Sequence, residues 1–219
     1  ERNVPMFGGY KFDPKDDFIN KEKINWVSIE EQLLSIERLI KAGKVRYFAL
    51  SNEWPWGLME FIRLAKIKNL PLVCTLQNSY SLINRIVELG MTEIFFREKL
   101  SFFSYSPLGF GHLSGKYLKD PKAVGRVNLF PGYAQRYNKS GVKKAIEKYD
   151  ALAAKRNVSL TDLALSFVYS QWFVTSTVIG ATNMNQLKQN IAAYGLDIVD
   201  EELIQEIDAI HLDVMNPAP

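Results

Sequence analysis

Residues 45–54 read Val45-Arg46-Tyr47-Phe48-Ala49-Leu50-Ser51-Asn52-Glu53-Trp54, and the order of residue types in this stretch decides the fold. A short, mostly apolar, β-prone run ends in Ser51-Asn52, and from Leu58 to Ile67 the apolar residues return at helical spacing. That is a strand, a polar tip and a helix. Leu72-Val73-Cys74-Thr75-Leu76-Gln77 repeats the strand, with a helical stretch expected over 85–100. Leu100-Ser101-Phe102-Phe103-Ser104-Tyr105 is a third strand. A long segment punctuated by Gly and Pro, 107–137, separates it from helices expected at 140–155 and 160–171. Val174-Thr175-Ser176-Thr177-Val178-Ile179 is a fourth strand, with helices expected at 184–193 and 201–210. Ahead of the first strand, Ile29, Leu33, Leu34, Ile36, Leu39 and Ile40 follow Ser28 at helical spacing, and Gly43 stops them. Residues 6–27 read as a long loop.

Strands apolar on both faces, each followed by a helix, predict a parallel sheet covered by helices. Doubly wound and barrel folds both satisfy that pattern. The polar residues favour the barrel: Ser51-Asn52, Gln77-Asn78, Tyr105-Ser106 and Gly180-Ala181-Thr182 all stand at the C-terminal ends of strands, which converge on one face of a barrel. A doubly wound sheet gathers its ligand only beside a switch point. The expected fold class is therefore α/β, a part of a (β/α)8 TIM barrel with parallel strands and outer helices. Four strands cannot close such a barrel.

Composition narrows the function classes. The chain has 219 residues, 47% apolar and 23% charged, which is globular. A net charge of +3 with Lys and Arg interspersed among Asp and Glu gives no basic tract for nucleic acid, and no apolar run is long enough to predict a membrane span. Cys74 is the single cysteine, which excludes an intrachain disulfide or a Cys-based metal cluster and fits a reducing, cytoplasmic compartment.

Four stretches in this order carry a resemblance: Ala49-Leu50-Ser51-Asn52-Glu53; Leu76-Gln77-Asn78-Ser79-Tyr80-Ser81-Leu82; Ser104-Tyr105-Ser106-Pro107-Leu108-Gly109 with Gly115-Lys116-Tyr117; and Val178-Ile179-Gly180-Ala181-Thr182-Asn183 with Gln186-Leu187-Lys188-Gln189-Asn190. Over nearly its whole length the chain resembles the aldo-keto reductases, in the Tas-like branch that also holds plant plastid relatives and potassium-channel β-subunits. The resemblance implies that residues 1–219 form one partial barrel domain, strands five to eight, with strands one to four upstream of residue 1. It implies NADPH as cofactor and a small carbonyl compound as substrate. NADPH rather than NADH is inherited from the resemblance, because no Lys or Arg lies between Gly180 and Gln186.

The residue types suit the implied roles. Tyr105 would give the nicotinamide an aromatic platform. Ser51, Asn52 and Gln77 offer donors and acceptors to its carboxamide. Ser106, Pro107, Leu108 and Gly109 would form a backbone-donor turn for the pyrophosphate, with Lys116 and Arg126 reaching across it. Gly180, Thr182, Gln186, Gln189 and Asn190 match the loop and helix start that take the adenosine end, where free N–H groups favour a phosphate.

No catalytic residue is nominated. In the family an Asp, a Tyr, a Lys and a His act together, and the resemblance places all four upstream of residue 1. His112 and His211 read as ordinary surface histidines, and Tyr10, Tyr47 and Tyr80 lack a matching Lys and Asp. Trp54 and Trp56, with Met6, Phe7 and Tyr10, would wall a substrate pocket. The competing reading is a non-catalytic NADP(H)-binding or regulatory module like the channel β-subunits, since fold alone does not settle function. A missing N-terminal segment or a homo-oligomer would complete the barrel, and a transit peptide upstream would place the protein in plastids.

Overall fold

The computed structural model describes residues 27–130, 132 and 134–219, and the loop expected at 6–27 lies almost wholly outside them. Helix ends follow local chemistry. Helix α1 (Ile29–Lys41) begins where the Ser28 hydroxyl accepts a hydrogen bond from Glu31 N at 3.1 Å, carries Glu30 and Glu31 in its first turn, and stops before Gly43 at φ +68°. Strand β1 (Ala49–Ser51) leads into α2 (Pro55–Lys68), whose proline sits in the first turn, where a missing N–H costs nothing. Strand β2 (Thr75–Ser79), a 3-10 turn at Ile86–Glu88, α3 (Met91–Glu98) and β3 (Ser101–Tyr105) follow. Then come short helices α4 (Lys116–Lys119) and α5 (Arg126–Leu129), longer helices α6 (Ser140–Lys155) and α7 (Leu160–Ser170), β4 (Ser176–Val178), α8 (Met184–Ala192) and α9 (Glu201–Asp213).

Strand and helix boundaries differ from the sequence reading in several places: β2 runs Thr75–Ser79 rather than 72–77, β4 Ser176–Val178 rather than 174–179, and α9 reaches Asp213. The strand expected from Val45 is shorter, because pairing starts only where Cys74 N donates to Phe48 O, and Tyr47 beyond it is 76% exposed. The single helix expected over 85–100 is broken by Gly90, whose φ of +104° no helix interior accommodates. The segment 107–137 is not plain loop: besides α4 and α5 it contains 3-10 turns at Gly109–Ser114 and Gln135–Asn138.

In hydrogen-bonded order the strands run β1-β2-β3-β4. The described residues divide into two compact units, the residues up to Asn78 with Glu88–Phe102, and Ser79–Val87 with Phe103–Pro219. In the first, β1 and β2 are parallel with Ser51 opposite Gln77, over a core that includes Leu33, Leu58, Leu76 and the stacked rings of Phe95 and Phe102, 5.0 Å apart. In the second, β3 and β4 are parallel with Tyr105 opposite Val178. Every residue of α7 from Leu160 to Val168 except Asp162 is buried, as expected of a helix apolar on most of its circumference. Among the described residues no helix is long and apolar enough to cross a membrane.

Candidate functional site

In the first unit the candidate carboxamide group forms around one carbonyl. Gln77 O accepts both the Ser51 hydroxyl at 3.1 Å and Asn52 N at 3.0 Å. Asn52 holds a left-handed φ of +56°, which its short polar side chain tolerates better than most residues do. This bend turns the chain away from the strand just as β1 ends. Next to it, Asn78 Nδ2 donates to Glu53 O at 2.9 Å. Ser51, Asn52 and Gln77 are thus brought together. Trp54 and Trp56 lie at the start of α2, Trp56 being 59% exposed. Met6, Phe7 and Tyr10, expected beside them, lie outside the described residues.

The second unit carries the turn that follows β3. Tyr105 is half-buried at the strand's end and Pro107 is buried. Ser106 (φ +56°), Gly109 (φ +51°), Phe110 (φ +56°) and Gly111 (φ +91°) all take left-handed conformations, so the chain doubles back tightly. Gly109 N donates to Ser106 O at 2.9 Å and Gly111 N to Leu108 O at 2.9 Å. At Gly109 a Cβ would stand 2.8 Å from Ile83 Cδ1, so only glycine fits without moving that side chain.

Both expected cations lie against this turn. Arg126 places its guanidinium 5.3 Å from the centre of the Phe110 ring. Lys116 Nζ donates to Val124 O at 3.1 Å and lies 4.8 Å from the Tyr117 ring centre. It is housed between two glycines: a Cβ on Gly125 would be 2.4 Å from Nζ, and one on Gly111 3.1 Å from Cε. Lys116 is therefore a placed charge rather than a solvated one.

Sequence reasoning missed three residues here. Arg136 and Tyr137 are buried, 7% and 3% exposed, and Arg136 Nη2 donates to the Tyr137 hydroxyl at 3.0 Å. Burial pushes the Tyr137 hydroxyl up, opposed by Arg136 and by the Ser106 side chain near it. His112 is not the ordinary surface histidine expected. Its ring packs 4.8 Å from that of Tyr117 and 5.3 Å from that of Tyr137, and its Nε2 is buried without a hydrogen-bond partner. Burial, aided by the Lys116 ammonium, holds its imidazole down at about 4, so it is neutral near neutral pH. No pattern in the sequence marks these three, because their significance comes from which loop folds back on which. His211 lies in α9.

The residues expected at the adenosine end gather around the start of α8. Asn183 caps the helix, accepting from Gln186 N at 3.0 Å. Thr182 donates through its backbone N at 2.8 Å and its hydroxyl at 3.0 Å to Gln186 Oε1. Gln189 Nε2 donates to Ser159 Oγ at 3.0 Å and Asp162 Oδ1 at 3.2 Å. Buried Asn190 donates to Gly180 O at 3.1 Å and accepts the Tyr169 hydroxyl on its own carbonyl at 3.0 Å. Gln189 and Asn190 therefore hold α8 against its neighbours, while Gly180, Thr182 and Gln186 present an exposed surface, with nothing within 4 Å of a Cβ built on Gly180.

The model described as "Aldo/keto reductase family" matches residues 11–211. Protein tas of Escherichia coli (strain K12) is 39% identical over 193 residues, which cover 88% of this chain and 56% of that protein. An aldo-keto reductase of Babesia bovis is 36% identical over 226 residues, covering 99% and 79%. L-glyceraldehyde 3-phosphate reductase of Escherichia coli (strain K12) is 27% identical over 183 residues, covering 81% and 53%. The chain spans about half the length of most of these relatives.

Proposed function

The chain belongs to the aldo/keto reductase family of oxidoreductases, and from that premise we propose that it is the cofactor-binding part of an NADPH-dependent reductase of small aldehydes or ketones. The observation that carries the proposal is the left-handed turn from Ser106 to Gly111, with Lys116 and Arg126 set against it in the same unit. A tight turn of this kind gathers backbone N–H groups, and two neighbouring cations suit the double negative charge of a pyrophosphate. The residues fit the cofactor at its other end too: the exposed surface at Gly180, Thr182 and Gln186 leaves room for an adenosine moiety, beside a capped helix start whose dipole favours phosphate.

In this reading residues 1–219 are one partial barrel domain. Ser51, Asn52 and Gln77 orient the carboxamide, Tyr105 backs the nicotinamide ring, and Gln189 and Asn190 secure the helix that meets the adenosine. Bound NADPH supplies the hydride. The chain's own residues bind and orient; no described residue is assigned to proton transfer. The alternative is a non-catalytic NADP(H)-binding module, since every role assigned to this chain's residues is binding or orientation and fold alone does not settle function. Titration of the chain with NADPH, followed by cofactor fluorescence, tests the shared part of both readings. Saturable binding with 2′,5′-ADP as a competitor supports it, and a flat titration overturns it. Consumption of NADPH with simple aldehydes by the full-length protein then separates enzyme from module.

A further inference from the structure

We propose that Arg136 and Tyr137 are positioning residues that clamp the Ser106–Gly111 turn in its binding geometry, an inference that rests on the nucleotide-binding reading above. The turn cannot hold itself. Left-handed backbone at Ser106 and Phe110, neither of them glycine, is unfavourable on its own, and such conformations persist only where the surroundings over-determine them.

Tyr137 provides those surroundings. Its ring packs at a tilt 5.3 Å from that of Phe110 and stacks 5.3 Å from that of His112, and its Cε1 would lie 3.4 Å from a Cβ on Gly109. Its hydroxyl accepts Arg136 Nη2 at 3.0 Å, with the Ser106 side chain close to the same oxygen. One side chain thus touches both limbs of the turn.

Arg136 fixes Tyr137 in place. The guanidinium lies 4.9 Å from the centre of the Tyr137 ring as well as bonding its hydroxyl, and it is itself buried. Arg126, which reaches the turn through Phe110, depends on the same ring, because Phe110 packs on Tyr137. Loss of the Arg136–Tyr137 bond would therefore free the turn and misplace Arg126 together.

The test compares Tyr137→Phe, Arg136→Gln and Arg136→Lys with the parent chain. Tyr137→Phe keeps the ring packing and removes only the hydroxyl. It should weaken NADPH about tenfold, the equivalent of one lost hydrogen bond to a charged donor, and leave 2′-AMP, which lacks the pyrophosphate, within about twofold. Backbone amide exchange should accelerate at Ser106 and 108–111 and nowhere else. Arg136→Gln should behave the same way, while Arg136→Lys, which retains charge and donor, should recover most of the affinity. Equal losses for NADPH and 2′-AMP, unchanged exchange in the turn, or a Lys variant as weak as the Gln variant would each overturn the clamp. If the parent chain binds no NADPH, the nucleotide-binding reading fails, and exchange at 106–111 alone decides whether the clamp exists.

Discussion

Tyr105 ends β3 half-buried, opposite Val178, and the turn begins at the next residue. A ring stacked on the nicotinamide contributes on the order of 1 kcal/mol beyond simple burial. Tyr105→Ala is therefore expected to weaken NADPH about fivefold while 2′-AMP binding, which involves no nicotinamide, stays unchanged; equal losses in the two titrations refute the stacking role. His112 gives a prediction about pH. Its ordinary value is 6.5, and the folded chain holds it at about 4. As pH falls from 6.5 the unfolded chain takes up the proton first, so His112's contribution is complete above 6.5, is lost progressively through the window down to about 4, and is constant below it. Discounted for the imidazole's partial exposure, the loss is on the order of 2 kcal/mol. Urea unfolding across this window should show it, and His112→Phe should flatten the slope; an unaltered slope removes His112 as the cause.

At the scale of elements, one cap ties two helices together. The Ser159 hydroxyl accepts Asp162 N at the start of α7 at 3.1 Å and also receives Gln189 Nε2 from α8. The same hydroxyl donates to Asp162 Oδ2 at 2.6 Å, so Ser159→Ala removes three bonds and should cost about 1–2 kcal/mol, read as a lower urea midpoint with unchanged m. Ser159→Thr keeps the hydroxyl and with it the cap, so its midpoint should stay near the parent's. Elements of this kind were legible in advance: the 140–155 helix and the helix that begins at Ser28 and stops before Gly43 follow from periodicity. Strands were less legible, because hydrophobic runs show which residues are apolar and pairing decides which are extended. β2 accordingly starts at Thr75, three residues after Leu72, which is 55% exposed. The candidate site divides in the same way. Contiguous motifs such as Ser104–Gly109 announce themselves, whereas Arg136 and Tyr137 acquire meaning only when a polar loop folds back on a turn some thirty residues earlier. His112 was misread for the same reason: its neighbours in space, Tyr117 and Tyr137, lie five and twenty-five residues further along the chain.

At the scale of the whole molecule, partners and chemistry decide what the chain can do. Within the first unit β1 exposes Ala49 and Ser51, and within the second β4 exposes Ser176 and Val178, the latter 45% exposed. The family's reduction takes a hydride from NADPH together with a proton from a tuned acid, and general acid assistance is typically worth about 10²–10⁴-fold. On the proposed reading that acid is none of the residues assigned to binding here. A polypeptide of this sequence is therefore expected to bind NADPH through the Ser106–Gly111 turn and to reduce no aldehyde at a measurable rate. Adding a segment that carries such an acid, fused or as a second polypeptide, should supply the proton and orient both reactants, which contributes more than the acid alone. The mixture should then consume NADPH in the presence of simple aldehydes and melt at a higher temperature than either part. Lys116→Ala in that complemented form should raise the KM for NADPH, least noticeably at high salt, where screening has already weakened the ion pair. Brisk turnover by a mass-verified Glu1–Pro219 chain alone would show instead that the acid lies within it, and the search would move to its tyrosines.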